Sequence, residues 1–289
     1  MSQLSDYAEN KLTDMIRGQA WTLAASLYLG LASAASDSAV TELSGTSYGR
    51  VGMTRNLTNW AGTQGAGTTA ASSGTSHGSS NNVAINFGTA GTAWGTANFV
   101  VVFDAATAGN VVCFLPLSTP LVVGVGAVPP IAIGALSFTL GVAGGCSDYL
   151  SNKLIDFIFR GQAFTFPATL YAALYTAAPS NAGGGTEVGG GVGYARVAIA
   201  GSLANWAGTQ AAGTTVASTG TSGQTSNNTP IAWSGPTTGA WGTLGWVAYL
   251  DAASAGNPVF WAPLNSAKTV PSGVTSPSLP AGTQTITWA

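Results

Sequence analysis

Charge is what this chain has least of. Eight basic and ten acidic residues among 289 amount to 6%, against ~25% in ordinary soluble domains. With a net charge of −2 and no run of Lys or Arg, it lacks the footprint that nucleic acid requires. It also lacks the self-repulsion that keeps free proteins apart. Its surface is expected to consist of Ser, Thr, Asn, Gln and Gly, which suits packing against many copies of itself or a partner. Histidine is represented once, at His77. A Ser-His-Asp or Cys-His arrangement repeated along the chain is therefore excluded, as is a histidine-based metal centre. The expectation for His77 is an exposed position in a Ser/Gly loop.

Cysteine is nearly absent too. Cys113 and Cys146 fall at unmatched positions, so no disulfide framework is expected. Cys113 reads as a small buried strand residue. The opening MSQLSDYAENKL has no basic stretch followed by an apolar one, so synthesis in a host cytoplasm without a signal peptide is expected. A long hydrophobic run is also missing. The stretch VVCFLPLSTPLVVGVGAVPPIAIGALSFTLG is membrane-like in hydropathy, but Pro116, Pro120, Pro129 and Pro130 would break a spanning helix. Its counterpart near the C-terminus carries Lys268. Strands and turns are expected there, and no membrane partner.

What is present is a repetition. SDYAENKLTDMIRG at 5–18 returns as SDYLSNKLIDFIFRG at 147–161, NWAGTQGAGTT at 59–69 as NWAGTQAAGTT at 205–215, and FDAATAGN at 103–110 as LDAASAGN at 250–257. The order is unchanged, so the chain is a tandem duplication of units of about 140 residues, an ordinary domain size. The expected division is a first repeat at 1–141, a short Gly-rich linker at 142–146 and a second repeat at 147–289. Most charges recur in pairs: Asp6/Asp148, Lys11/Lys153, Asp14/Asp156, Arg17/Arg160, Glu42/Glu187, Arg50/Arg196 and Asp104/Asp251. Charges kept at fixed positions in so neutral a chain predict helix caps, turns and ion pairs rather than catalysis.

Each repeat opens with one predicted helix. Ser5 and Ser147 occupy N-cap positions with an Asp following. Ala8, Leu12, Met15 and Ile16, repeated as Leu150, Leu154, Phe157 and Ile158, form one apolar face. Arg17-Gly18 and Arg160-Gly161 close the helices with a cation and a glycine. The remainder alternates with period two, as in Leu27, Leu29 and Leu31 or Phe99, Val101 and Phe103, between Gly/Pro-rich turns. The fold class is therefore mainly β: two tandem antiparallel β-sandwich (jelly-roll-like) domains, each opened by one N-terminal α-helix. The Gly/Ser/Thr/Asn stretches at 61–82 and 207–229 resemble linkers in composition, but their near-identity predicts defined loops.

The search for chemistry finds little. A glycosidase needs two carboxylates in one cleft, and Asp6, Asp14, Glu42 and Asp104 are assigned instead to helix and turn. GTAGTAWG and GGGTEVGGG lack the lysine and the strand–loop–helix setting of a phosphate loop. No catalytic, cofactor-binding or metal-binding residues are expected. Trp60/Trp206 and Trp94/Trp241 are the one candidate recognition chemistry, since an exposed indole can stack on a sugar; a tryptophan clipped under its own loop is the favoured reading.

The segments SDY-x-x-N-K-L, LYAALYTAAPS, TEVGGGVGYAR, SLANWAGTQ-x-AGTT, and WGT followed by FDAATAGN or LDAASAGN together resemble the tail-fibre-like or minor tail virion proteins of tailed bacteriophages. The second copy is the nearer match. The resemblance implies a non-enzymatic virion subunit, of tail-fibre, minor-tail or capsid-decoration type. Its expected partners are other copies of itself and other virion proteins, with host-surface glycan as an alternative and no nucleic acid. A glycan adhesion module and a self-assembling extracellular filament are the rival readings. Assembly is expected through apolar segments of the first repeat, Leu121–Val125 and Ile131–Ile133, where the second repeat is polar.

Overall fold

The computed structural model describes residues 3–140, 145–189, 193–234, 238–273 and 277–288. Of the expected linker 142–146, residues 142–144 lie outside these. The first repeat begins with helix α1 (Asp6–Ile16), followed by β1 (Ser26–Ala35), β2 (Val40–Glu42), β3 (Val51–Thr54), β4 (Gly78–Ser80), β5 (Ile85–Asn86), β6 (Gly95–Phe103), β7 (Val111–Val123), β8 (Pro130–Ile131) and β9 (Ser137–Thr139). The second repeats the series as α2 (Asp148–Ile158), β10 (Thr169–Ala177), β11 (Thr186–Glu187), β12 (Val197–Ala200), β13 (Gln224–Ser226), β14 (Ile231–Ala232), β15 (Gly242–Leu250), β16 (Pro258–Val270), β17 (Ser278–Leu279) and β18 (Thr285–Thr287). The fold is mainly β, with a helix opening each of two similar antiparallel sandwiches, as the patterning predicts.

The helices start and stop where their end residues dictate. The side chains of Ser5 and Ser147 accept from the amides of Ala8 and Leu150 at 3.2 and 3.1 Å, each satisfying an orphan donor of the first turn. Beyond the helices, Gly18 and Gly161 take φ of 76° and 65°, the left-handed conformation that ends a helix without a Cβ penalty. Each helix is anchored at its start on its own sheet: Ser5 N donates to Val112 O, and Ser147 N to Val259 O, both at 3.2 Å.

In each main sheet one strand is shared at both ends. β1 pairs with β3 through Ser26–Leu29 and with β2 through 32–35, while its other edge pairs with β6 and then β7 follows. β10, β12, β11, β15 and β16 reproduce this order. Short antiparallel ladders, β4–β9 and β5–β8, and β13–β18 and β14–β17, complete the repeats. Leu27, Leu29 and Leu31 are buried on one face of β1, as the period-two alternation requires. They join a core that runs without interruption through both repeats and includes the apolar faces of both helices. Cys113 is fully buried within it, as expected, and burial pushes its thiol pKa up. The membrane-like stretch is β7, β8, β9 and their turns, and no described helix is long and apolar enough to cross a membrane.

Candidate functional site: interlocked helices and an apolar rim

The loops at 61–82 and 207–229 have one conformation, fixed by matched hydrogen bonds. Gln64 Nε2 donates to Ala71 O at 2.6 Å and Ser73 Oγ at 2.8 Å, and Gln210 Nε2 to Ala217 O and Thr219 Oγ1 at 2.6 and 2.9 Å. Ser76 and Ser222 hydroxyls each donate to the carbonyl of Thr63 or Thr209 at 2.6 Å. Asn82 and Asn228 accept from Gly67 N and Gly213 N at 2.8 and 2.9 Å. Side-chain amides and hydroxyls thus replace the ladder bonds that a Gly-rich backbone would otherwise make to water.

Each ordered loop grips the helix of the other repeat. Arg17, at the end of α1, is fully buried. It donates to Trp206 O (2.9 Å), Thr214 O (3.1 Å) and Ser218 Oγ (3.1 Å) of the second repeat, and pairs with Asp14 at 2.7 Å. Asp14 also accepts from Ser218 N and Oγ, the latter at 2.7 Å. Arg160, equally buried, donates to Trp60 O (3.0 Å), Ala70 O (2.5 Å) and Ser72 Oγ (3.1 Å) of the first repeat and pairs with Asp156 at 2.6 Å. Asp156 in turn accepts from Ser72 N at 2.9 Å and Oγ at 2.6 Å. Asn10 and Asn152 complete the clasps with Thr209 and Thr63. A buried guanidinium–carboxylate pair survives desolvation only when its remaining hydrogen-bond positions are filled, and the opposite repeat fills them.

The other matched charges have similar roles. Glu42 and Arg50 pair at 2.8 Å and Glu187 with Arg196 at 2.7 Å, with each arginine also reaching the turn that holds Asp104 or Asp251. Asp104 Oδ1 accepts from Asn110 N at 2.6 Å and Asp251 Oδ1 from Asn257 N at 2.7 Å. Lys11 and Lys153 lie 5.6 and 5.8 Å from the ring centres of Tyr7 and Tyr149. These are the caps, turns and ion pairs the repetition predicts. Tyr48 and Tyr194, whose hydroxyls donate to Glu42 and Glu187 at 2.8 and 3.1 Å, have phenol pKa values held well above the ordinary range by burial and then, with the glutamate a contributor, by their surroundings.

Asp6 and Asp37 line a shallow depression. Burial, then the Asp37 charge, raises the Asp6 carboxyl above its ordinary pKa. Asn181 takes the corresponding place beside α2, with its carbonyl accepting from Asp148 N as Asp37 O does from Asp6 N, so the second repeat does not keep this acidic pair.

The tryptophans are enclosed. Trp60 and Trp206 expose 1% and 0%, and Trp94 and Trp241 are buried as well; none presents a face for a sugar ring. His77 departs from the exposed position expected of it. It is half-buried, its Nε2 lies 2.9 Å from Asp148 Oδ1 at the start of α2, and its φ is 55°. Sequence reasoning missed this because the contact crosses from one repeat to the other.

Among the described residues, the large apolar side chains most open to solvent are Val122, Val125, Val128, Ile133 and Val216. Four belong to one stretch of the first repeat. Within the expected contact segments, Val123 and Ile131 are instead core residues at 1% and 4% exposure. Strand alternation divides the segment between core and rim. In the second repeat Lys268 and Thr269 match Leu121 and Val122 on the paired strands, Ser272 follows where Val125 does, and Ala281 matches Ile133.

No curated protein matches the chain. A family profile described as podophage GP4 fiber I protein gp80 matches it twice, over residues 3–139 and again over 145–287. Nearly the whole chain is covered, one match for each helix-plus-sandwich unit, and the chain thus belongs to this family of phage fibre proteins, as two tandem copies.

Proposed function

We propose that this chain is a non-enzymatic fibre subunit of a tailed-phage virion that attaches to the particle through the apolar rim of its first repeat. Family membership supports a structural role in the phage virion. The rim is the observation that carries the finer reading. Val122, Val125, Val128 and Ile133, within one short stretch of chain, are four of the five exposed large apolar side chains among the described residues, and exposed apolar groups brought together favour burial against a partner. The partner is another virion protein or another copy of this one. The second repeat, with Thr269, Ser272 and the small Ala281 at the matching positions, points away from the attachment, and the division at 142–146 is the boundary between an attached unit and an outward one. A structural role also fits the carboxylates: Asp14, Asp156, Glu42, Glu187, Asp104 and Asp251 each hold a hydrogen-bonded structural partner.

Charge placed on the rim tests this. Val125→Lys and Ile133→Asp are expected to lower incorporation into purified particles by about tenfold or more. Ser272→Lys and Ala281→Asp are expected to leave it unchanged. All four positions are exposed, so melting temperatures should stay within a few degrees of the parent. Unchanged incorporation of the rim variants, or loss only through the second repeat, would show the assignment to be wrong.

A further inference from the structure

We infer that the two repeats are an unlike pair: each helix is shaped for the opposite repeat's socket and fits its own repeat's socket poorly. The clasps of Arg17 and Arg160 are common to both sides and cannot discriminate. The repeats also differ at four places where a helix meets the opposite repeat.

The largest concerns volume. α1 and α2 align residue for residue through Ile16 and Ile158, but α2 then carries an additional residue, Phe159, before its arginine. Phe159 is fully buried in the first repeat, its ring centre 4.9 Å from both Trp60 and Phe138. α1 brings no such ring into the second repeat. There the ring against Trp206 comes from the repeat's own sheet: Tyr249, 5.4 Å away, stands where the first repeat has Val102, and Ile286 and Trp288 stand where it has Phe138 and Leu140. The ring packed on the socket tryptophan is thus supplied by the opposite helix in one repeat and by the repeat's own sheet in the other.

The second difference is polar. Trp288 Nε1 donates to Thr13 Oγ1 of α1 at 3.0 Å. The matching positions are Ile155 and Leu140, both buried in the core and both without a donor or acceptor. The third is at the helix end. Arg55 of the first repeat donates to the final carbonyls of α2, reaching Ile158 O at 2.8 Å and also Phe157 O. This is the placement that a helix C-terminus favours. Facing α1 at the same place is Gly201, where a Cβ would come within 2.8 Å of Ile16 O. The fourth lies at the first turn of the helix. Gly223 leaves room for Glu9, whose carboxylate would meet a Cβ there at 2.5 Å. His77 takes that place opposite α2, where the residue matching Glu9 is Ser151.

Placing α2 in the second repeat's socket would bring Phe159 to Trp206, where Tyr249 already packs, and leave the buried Trp288 indole N–H without Thr13. Placing α1 in the first repeat's socket would leave a void beside Trp60 and Phe138. Overpacking and voids both destabilise, as does an unmet buried donor. The surface each repeat offers is therefore suited to a repeat of the opposite kind, whether in the same chain or in a second copy of it.

The test exchanges the helices within the full-length chain, placing the sequence of 147–161 at 5–18 and that of 5–18 at 147–161. The melting temperature is expected to fall by about 10 °C or more. A second variant carries the same exchange with Arg55/Gly201, His77/Gly223, Val102/Tyr249, Phe138/Ile286 and Leu140/Trp288 also exchanged, and should recover at least half of that loss. An exchange that leaves the melting temperature unchanged would overturn the inference. So would a loss that the compensating exchanges do not restore, including a compensated chain that fails to fold. Independently, a protease site placed at 141–144 should give two fragments that co-elute after cleavage; fragments that separate would refute the pairing.

Discussion

The two repeats share a fold and a set of buried charges, yet they differ in what they show to the outside. The first ends its β7–β9 segment in an apolar rim of Val122, Val125, Val128 and Ile133; the second has Thr269, Ser272 and Ala281 at matching places. Inside, Asp14 and Arg17 repeat as Asp156 and Arg160 with nearly the same distances and the same backbone partners. The comparison separates two kinds of constraint. Charged positions kept in both repeats hold a helix to the opposite loop, as Asp14 and Arg17 do, or fix a turn within one repeat, as Glu42, Arg50 and Asp104 do. Positions that differ lie at the sockets, at the surface, and in the core of each sheet, as with Cys113 and Phe260.

The comparison would break most visibly at the clasps. Arg17→Ala should destabilise the chain by about 3–5 kcal/mol, because it leaves the Asp14 carboxylate buried beside Ser218 without its cation. Arg160→Ala should do the same through Asp156. Chemical denaturation followed by tryptophan fluorescence would measure both, and the two repeats should unfold in one transition because they share a core. Very different losses for the two arginines would end the claim that the clasps are equivalent. Arg17→Lys should rescue little, since one ammonium cannot reach Trp206 O, Thr214 O and Ser218 together.

Next come the glycines that end the helices. Gly161→Ala should cost about 1–3 kcal/mol from its positive φ, with a further penalty because the new Cβ would stand 2.4 Å from Arg55 O. Gly18→Ala meets Gly201 O at the same 2.4 Å, so the two losses should be similar by denaturant titration. A smaller effect is expected at the turns: Asp104→Ala and Asp251→Ala each remove the acceptor for an Asn amide and should cost about 1 kcal/mol.

The smallest effect sharpens the asymmetry by pH. Burial and Asp37 raise the Asp6 carboxyl above its usual value in the folded chain, so the folded state favours its protonated form. The ionised form is therefore a stability loss present above the unfolded carboxyl range and relieved as pH falls below it. Asp37→Asn should then stabilise the protein slightly at neutral pH, by less than about 0.5 kcal/mol at this largely solvated site, with the gain vanishing near pH 3. Asn181→Asp, which would recreate the acidic pair in the second repeat, should do the reverse by thermal melting.

Much of this protein was written in local pattern. The duplication, the caps at Ser5 and Ser147, the stops at Gly18 and Gly161, the buried faces of the helices and the buried leucine face of β1 follow from residue type and spacing. They concern interactions within a few residues or a choice between two sides of one strand. The sequence also marked which charges matter, since the same positions kept them in an otherwise neutral chain. Only the tertiary structure decided what those charges hold. A period of 3.6 residues says which face of α1 is buried and nothing about which repeat covers it. The partners of Arg17 are mainly backbone carbonyls nearly 200 residues away, which have no residue identity to read. His77 looked solvent-exposed for the same reason: its neighbour Asp148 belongs to the other repeat. Burial of a helix end needs donors and acceptors from wherever the chain returns, and that return is set by the packing of two repeats into one core.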